Sequence, residues 1–66
     1  MVMKKISVSL SGHHTSISIE PEFITELNQI AARRGVSVAS IISDIDNSRD
    51  RRNLSSAVRV WILKNK

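Results

Sequence analysis

Residues 5–10, KISVSL, alternate strictly between apolar and polar. Ile6, Val8 and Leu10 fall on one face, and Lys5, Ser7 and Ser9 on the other. That is the period of a half-buried strand. Ser11-Gly12-His13-His14 interrupts it, with Gly12 as the natural turn residue. Alternation resumes from Thr15 to Glu20, with Ile17 and Ile19 on one side and Ser16, Ser18 and Glu20 on the other. The two runs fit a hairpin. The other arrangement open to them is a strand at 15–20 preceded by a basic arm at 5–10.

The period then changes. Pro21 suits the first position of a helix, and Glu22 in the first turn suits the helix dipole. Phe23, Leu27, Ile30, Ala31 and Arg34 recur on one helical face. Gly35 is placed to stop that helix, with Arg33 and Arg34 in the last turn. The pattern predicts a helix over 21–34. Ser37 is the next N-cap, and Val38, Ile41, Ile42 and Ile45 predict a second helix over 37–47. Residues 46–53, DNSRDRRN, contain no apolar residue and read as a loop or a solvated helix end. Leu54, Ala57, Val58, Trp61 and Ile62 predict a third helix over 54–64, with Asn53 as a cap. Val60 and Leu63 widen its apolar surface beyond one stripe. No internal repeat or low-complexity segment is expected.

Length limits what such a chain can do. It has 66 residues, which fits a single domain over 1–66, and a domain this small buries only about 60% of the surface of its unfolded chain. There is no cysteine, so neither a disulfide nor a thiolate metal site is available. Small scaffolds without such staples commonly oligomerise. The wide apolar surface of the third helix points the same way, to a homodimer or a tetramer built from it.

Ten Lys and Arg against six acids give a net charge of +4. A basic balance favours an anionic partner, nucleic acid before a membrane surface. No apolar run reaches the roughly 20 residues of a spanning helix. MVMKK is basic but lacks the apolar stretch and cleavage site of a signal peptide. These features suit a cytoplasmic protein with no membrane partner.

The order strand, Pro-initiated helix, Gly-Val-Ser turn, helix carries a resemblance. "TSISIEPEF" and "LNQIAARRGVSVASII" resemble the ribbon-helix-helix (Arc/MetJ-like) family of bacterial and phage DNA-binding proteins. "SGHHTSISIEPEF", "IAARRGVSVASII" and "NLSSAVRVWIL" are also similar to the blocks of a small bacterial subfamily. The resemblance implies a mainly α fold with a short N-terminal β-ribbon, built as an intertwined homodimer, here with an additional C-terminal helix. In that family the ribbon takes one strand from each chain and enters the DNA major groove, which admits a two-stranded ribbon.

The resemblance also implies site residues. Outward strand side chains read base edges, a role that falls to Ser16 and Ser18, with His14 on the same parity. Backbone amides at the start of the second helix clamp a phosphate, which falls to Ser37 and Val38; a helix N-terminus is a ready anion site. Lys4 and Lys5 would supply phosphate contacts. Arg49, Arg51, Arg52 and Arg59 lie further along the chain and would serve another surface. Glu20, outward by parity, would face the DNA, where phosphate repels a carboxylate.

Catalysis finds little support. No glycine-rich phosphate loop, zinc motif or nucleophile elbow is present. Ser55-Ser56 has no base-and-orienter set beside it, and two adjacent histidines do not make a metal site alone. The expected function is therefore non-enzymatic, without metal or cofactor: a small transcriptional regulator that binds double-stranded DNA. The alternative is an antitoxin-like or adaptor dimer whose third helix binds a protein.

Overall fold

The computed structural model describes residues 3–10, 12–48 and 53–66. Two strands, β1 (Lys4–Leu10) and β2 (His13–Ile19), are followed by three helices, α1 (Pro21–Arg34), α2 (Val38–Ser48) and α3 (Leu54–Asn65). The strands pair antiparallel in one chain, from Lys4 opposite Ile19 to Leu10 opposite His13. The hairpin, rather than the basic arm, is what residues 4–10 form. Gly12 sits at φ 86°, a left-handed conformation that glycine adopts without steric cost. The reversal there is tight enough for β2 to begin at His13, so both histidines belong to the strand and not to a turn.

The paired strands also reveal a repeat that the sequence reading missed. β1 is KKISVSL and β2 is HHTSISI. Position for position, two nitrogen-bearing side chains are followed by a β-branched residue, Ser, a β-branched residue, Ser and an aliphatic. The match is one of residue class and not of identity, with Lys answered by His and Ile by Thr.

α1 starts with Pro21 at N1. Its first amides are satisfied by the Glu20 carbonyl, which accepts from Phe23 N at 3.0 Å and Ile24 N at 3.2 Å. It stops at Gly35, φ 67°. There the amide of Gly35 donates to the Ala32 carbonyl and that of Val36 to the Ala31 carbonyl, the double bond of a Schellman cap. Ser37 caps α2: its Oγ accepts from Ser40 N at 3.0 Å. Asn53 caps α3 in the same way, accepting from Ser56 N at 2.8 Å.

Val8, Leu10, Ile17 and Ile19 from the hairpin meet buried residues of all three helices in one core cluster. β1 contacts α2, and β2 contacts α3. Ile19, Leu27, Ile42, Val58 and Ile62 are wholly buried. Each such side chain is worth about 1.5–3 kcal/mol relative to its exposed state. The apolar surface of α3 is largely covered by this packing. Val60 and Trp61 are half-buried, and Leu63 stays exposed. Arg34 lies 5.1 Å from the Trp61 ring centroid and donates to Asn65 Oδ1 at 2.7 Å. This joins the ends of α1 and α3. Arg34 is thus an exposed residue stacked on the third helix, not part of a buried stripe.

Candidate nucleic-acid interface

The hairpin has one buried face and one solvent face. Three cross-strand pairs make up the solvent face: Lys5 with Ser18, Ser7 with Ser16, and Ser9 with His14. All six residues are exposed. Neighbouring positions along each strand stand about 6.8 Å apart, and the strands about 4.8 Å apart. The face is therefore a polar strip about 14 Å long, two side chains wide. Its groups are four hydroxyls, one ammonium and one imidazole, and none of them is acidic.

Glu20 does not belong to that strip. The strand ends at Ile19, and Glu20 is the N-cap residue of α1, with φ −65° and ψ 142°. Its carboxylate turns toward α3, where Arg59 Nε donates to Oε1 at 2.8 Å. This corrects the expectation that Glu20 faces outward, and it also accounts for Arg59. The hydrogen bond from Arg59 lowers the Glu20 pKa below its ordinary value of 4.5. The backbone amide of Glu20 acts in the same direction, burial opposes them, and the charge of Arg59 adds the smallest lowering effect.

Ser37 is exposed at the start of α2, and Val38 beside it is half-buried against the core. The Ser37 hydroxyl accepts from Ser40 and keeps its own proton as a donor. Among the described residues, no three His, Cys, Asp or Glu side chains gather as a metal site would require. No described helix is long and apolar enough to cross a membrane.

The family model of the ribbon-helix-helix domain matches residues 3–65. The chain belongs to the ribbon-helix-helix family. No curated protein and no solved structure matches it. Ribbon-helix-helix domains are generally DNA-binding transcription regulators or antitoxins, generally form dimers, and constitute a non-enzymatic fold. In this ribbon-helix-helix chain, both strands of the ribbon come from one polypeptide.

The ribbon brings Lys5, His14, Ser16 and Ser18 onto one face. It does not bring Lys4 there. Lys4 lies opposite Ile19, on the parity of the buried face, and is itself exposed. Ser37 and Val38 belong to a different element, the α1–α2 turn. Arg49, Arg51 and Arg52 lie outside the described residues. Ser7 and Ser9 are additions to the site. Their signal was present in the alternation of KISVSL, but only pairing β1 with β2 turns two hydroxyl rows into one surface.

Proposed function

We propose that the chain is a small DNA-binding regulator whose hairpin enters the major groove with its solvent face toward the bases. The observation that carries this reading is the strip itself: three cross-strand pairs, all exposed and free of carboxylate, with Glu20 held aside by Arg59. The major groove, about 12 Å wide, admits a two-stranded ribbon. The hydroxyls of Ser7, Ser9, Ser16 and Ser18 donate to or accept from base edges, and His14 reaches the groove edge. A lone hydroxyl cannot bond bidentately to a base, so discrimination per contact is modest. Lys4 and Lys5 at the ribbon end, with Ser37 and the Val38 amide, contact phosphates and fix register. A protein acting this way works in the compartment that holds DNA, the bacterial cytoplasm.

The test is retention of a random double-stranded DNA pool at two salt concentrations, with the retained DNA sequenced. Each phosphate contact contributes a slope of about −0.9 in log affinity against log salt. Lys4 and Lys5, the two cations among these groups, would thus give roughly −1.8. An enriched motif with such a slope supports the reading, and no retention at low salt sinks it.

A second reading, an adaptor or antitoxin-like protein, rests on Leu63, which is 58% exposed on α3. Changing Lys4 and Lys5 to Glu separates the two. It should abolish DNA binding and spare a protein complex held by α3.

A further inference from the structure

α3 carries no acid over its whole length, and no acid occurs between Leu27 and Ser43. Cations gather instead where the C-terminal ends of α1 and α3 meet. Arg33 and Arg34 occupy the last turn of α1, and Lys64 that of α3, with Lys66 as its C-cap. All four are exposed. Arg34 joins the two ends. Its guanidinium lies 5.1 Å from the Trp61 ring centroid and donates to Asn65 Oδ1 at 2.7 Å. Asn65 is held in turn by the Trp61 carbonyl, which accepts from Nδ2 at 2.8 Å. Lys64 and Lys66 flank Asn65, and Arg33 flanks Arg34, each about 3.8 Å away between Cα atoms. The four cations therefore share one corner. Among the described residues, no side-chain carboxylate pairs with any of them.

Helix dipoles do not use up this charge. Each helix C-terminus carries roughly −0.5 of an elementary charge, so two ends offset about one of the four cations. A second copy is a poor occupant, because an isologous contact sets the patch against itself. What fits is a polyanion. Arg34 favours phosphate. Its planar fork is fixed by the Trp61 face and by Asn65, and the donors left over match a phosphate bidentately. Ser37, proposed above as a phosphate contact, follows Arg34 by three positions. The corner thus continues that contact along the same backbone.

We infer that the corner where α1 and α3 end is a second DNA-contacting surface, which grips the phosphodiester backbone beside the groove that the ribbon reads. Arg33, Arg34, Lys64 and Lys66 contact phosphates. Trp61 and Asn65 are positioning residues that hold the Arg34 fork. α3 thereby takes part in DNA binding without reading bases. The inference rests on the DNA reading above. The 14 residues of α1 carry Arg34 about 20 Å along the helix from the base of the ribbon, so strip and corner can be altered separately.

The salt dependence of binding to the random duplex pool tests it. Lys4 and Lys5 account for a slope of about −1.8, and the four corner cations steepen it to roughly −5.4. Lys64→Gln with Lys66→Gln should remove about 1.8 of that slope, and Arg33→Gln about 0.9. Arg34→Lys keeps the charge and loses the fork, so affinity should fall severalfold with the slope held. Trp61→Phe keeps a ring face under Arg34 and should bind as the native chain does, whereas Trp61→Leu should behave as Arg34→Lys. Tm measured on each variant establishes that it is folded. A native slope near −1.8, or a steeper one that the lysine and Arg33 variants leave unchanged, would overturn the corner and leave the DNA reading in place. No retention at low salt would overturn the DNA reading and the corner with it. Trp61 is the chain's only tryptophan, so its fluorescence reports on the corner directly. It should respond more strongly to a short random-sequence duplex than to polyglutamate at equal charge. A stronger response to polyglutamate would assign the corner to an acidic protein and overturn the phosphodiester assignment.

Discussion

Arg59 of α3 donates to Glu20 at 2.8 Å across 39 positions of sequence, and the bond joins the base of the ribbon to the last helix. Folding lowers the Glu20 pKa below 4.5. The pair's contribution to stability is therefore complete above pH 4.5 and is lost as pH falls through the lower folded value. The expected result concerns the difference in Tm between the native chain and Glu20→Gln. It should be constant at neutral pH and should shrink on acidification below pH 4.5. A difference that widens on acidification would mean that the charged form is not the one the fold favours.

The same contact has a consequence for DNA. Arg59→Ala leaves the carboxylate uncompensated beside the reading strip. Arg59→Ala should therefore weaken DNA retention, most at low salt. Glu20→Gln with Arg59→Ala should recover most of the loss. A double variant as weak as Arg59→Ala alone would show that Arg59, and not the freed carboxylate, carries the effect.

Burial separates Ile42, on the apolar stripe of α2, from Leu63, which lies beyond the stripe of α3. Ile42 is wholly buried, whereas Leu63 is 58% exposed. Ile42→Ala should cost about 2–5 kcal/mol. That is comparable with the whole stability of a domain below about 70 residues, so most of the variant should be unfolded at room temperature. Leu63→Ala should fall within about 0.5 kcal/mol of the native chain. Urea denaturation measures both. A large loss at Leu63 would show that its side chain is covered in solution.

Gly35 illustrates what was readable in advance. Its φ of 67° and the Schellman bonds follow from a glycine placed after an apolar stripe. A Cβ there would meet nothing within 4 Å, so the cost of a side chain is conformational alone. Gly35→Ala should destabilise by about 1–2 kcal/mol, and Gly35→Asn by less, since Asn tolerates the left-handed region better. Equal losses for the two would point to a steric cause instead.

Local signals such as Gly35, Pro21 and the alternation of residues 5–10 and 15–20 were legible because they depend on neighbours in sequence. The choice between hairpin and arm was not, since the same alternation suits pairing with either β2 or another chain. Nor was the Glu20–Arg59 bond, which needs α3 laid beside β2 before the two charges meet. Parity alone kept Glu20 on the outer face. The extended backbone at Glu20 and the proline after it take the residue out of the strand. Ser7 and Ser9 were seen to point outward, but a row on one strand becomes a two-strand surface only once its partner is known.

Ser37 combines a structural duty with a proposed one, and a single substitution can separate them. Its Oγ accepts from Ser40 N at 3.0 Å, and removal of such a cap costs about 0.5–2 kcal/mol. Ser37→Ala should lose that stability and weaken DNA binding together, which cannot distinguish the two roles. Ser37→Asp can, because Asp caps as well as Ser does and its charge favours the helix dipole. Stability should hold or rise slightly. A phosphate seated at the Ser37 hydroxyl and the Val38 amide would instead be repelled, and DNA affinity should fall by roughly fivefold or more, most at low salt. Thermal denaturation and DNA titration on the same preparation check both halves. Unchanged stability with unchanged affinity would place the phosphate elsewhere and leave Ser37 as a cap only.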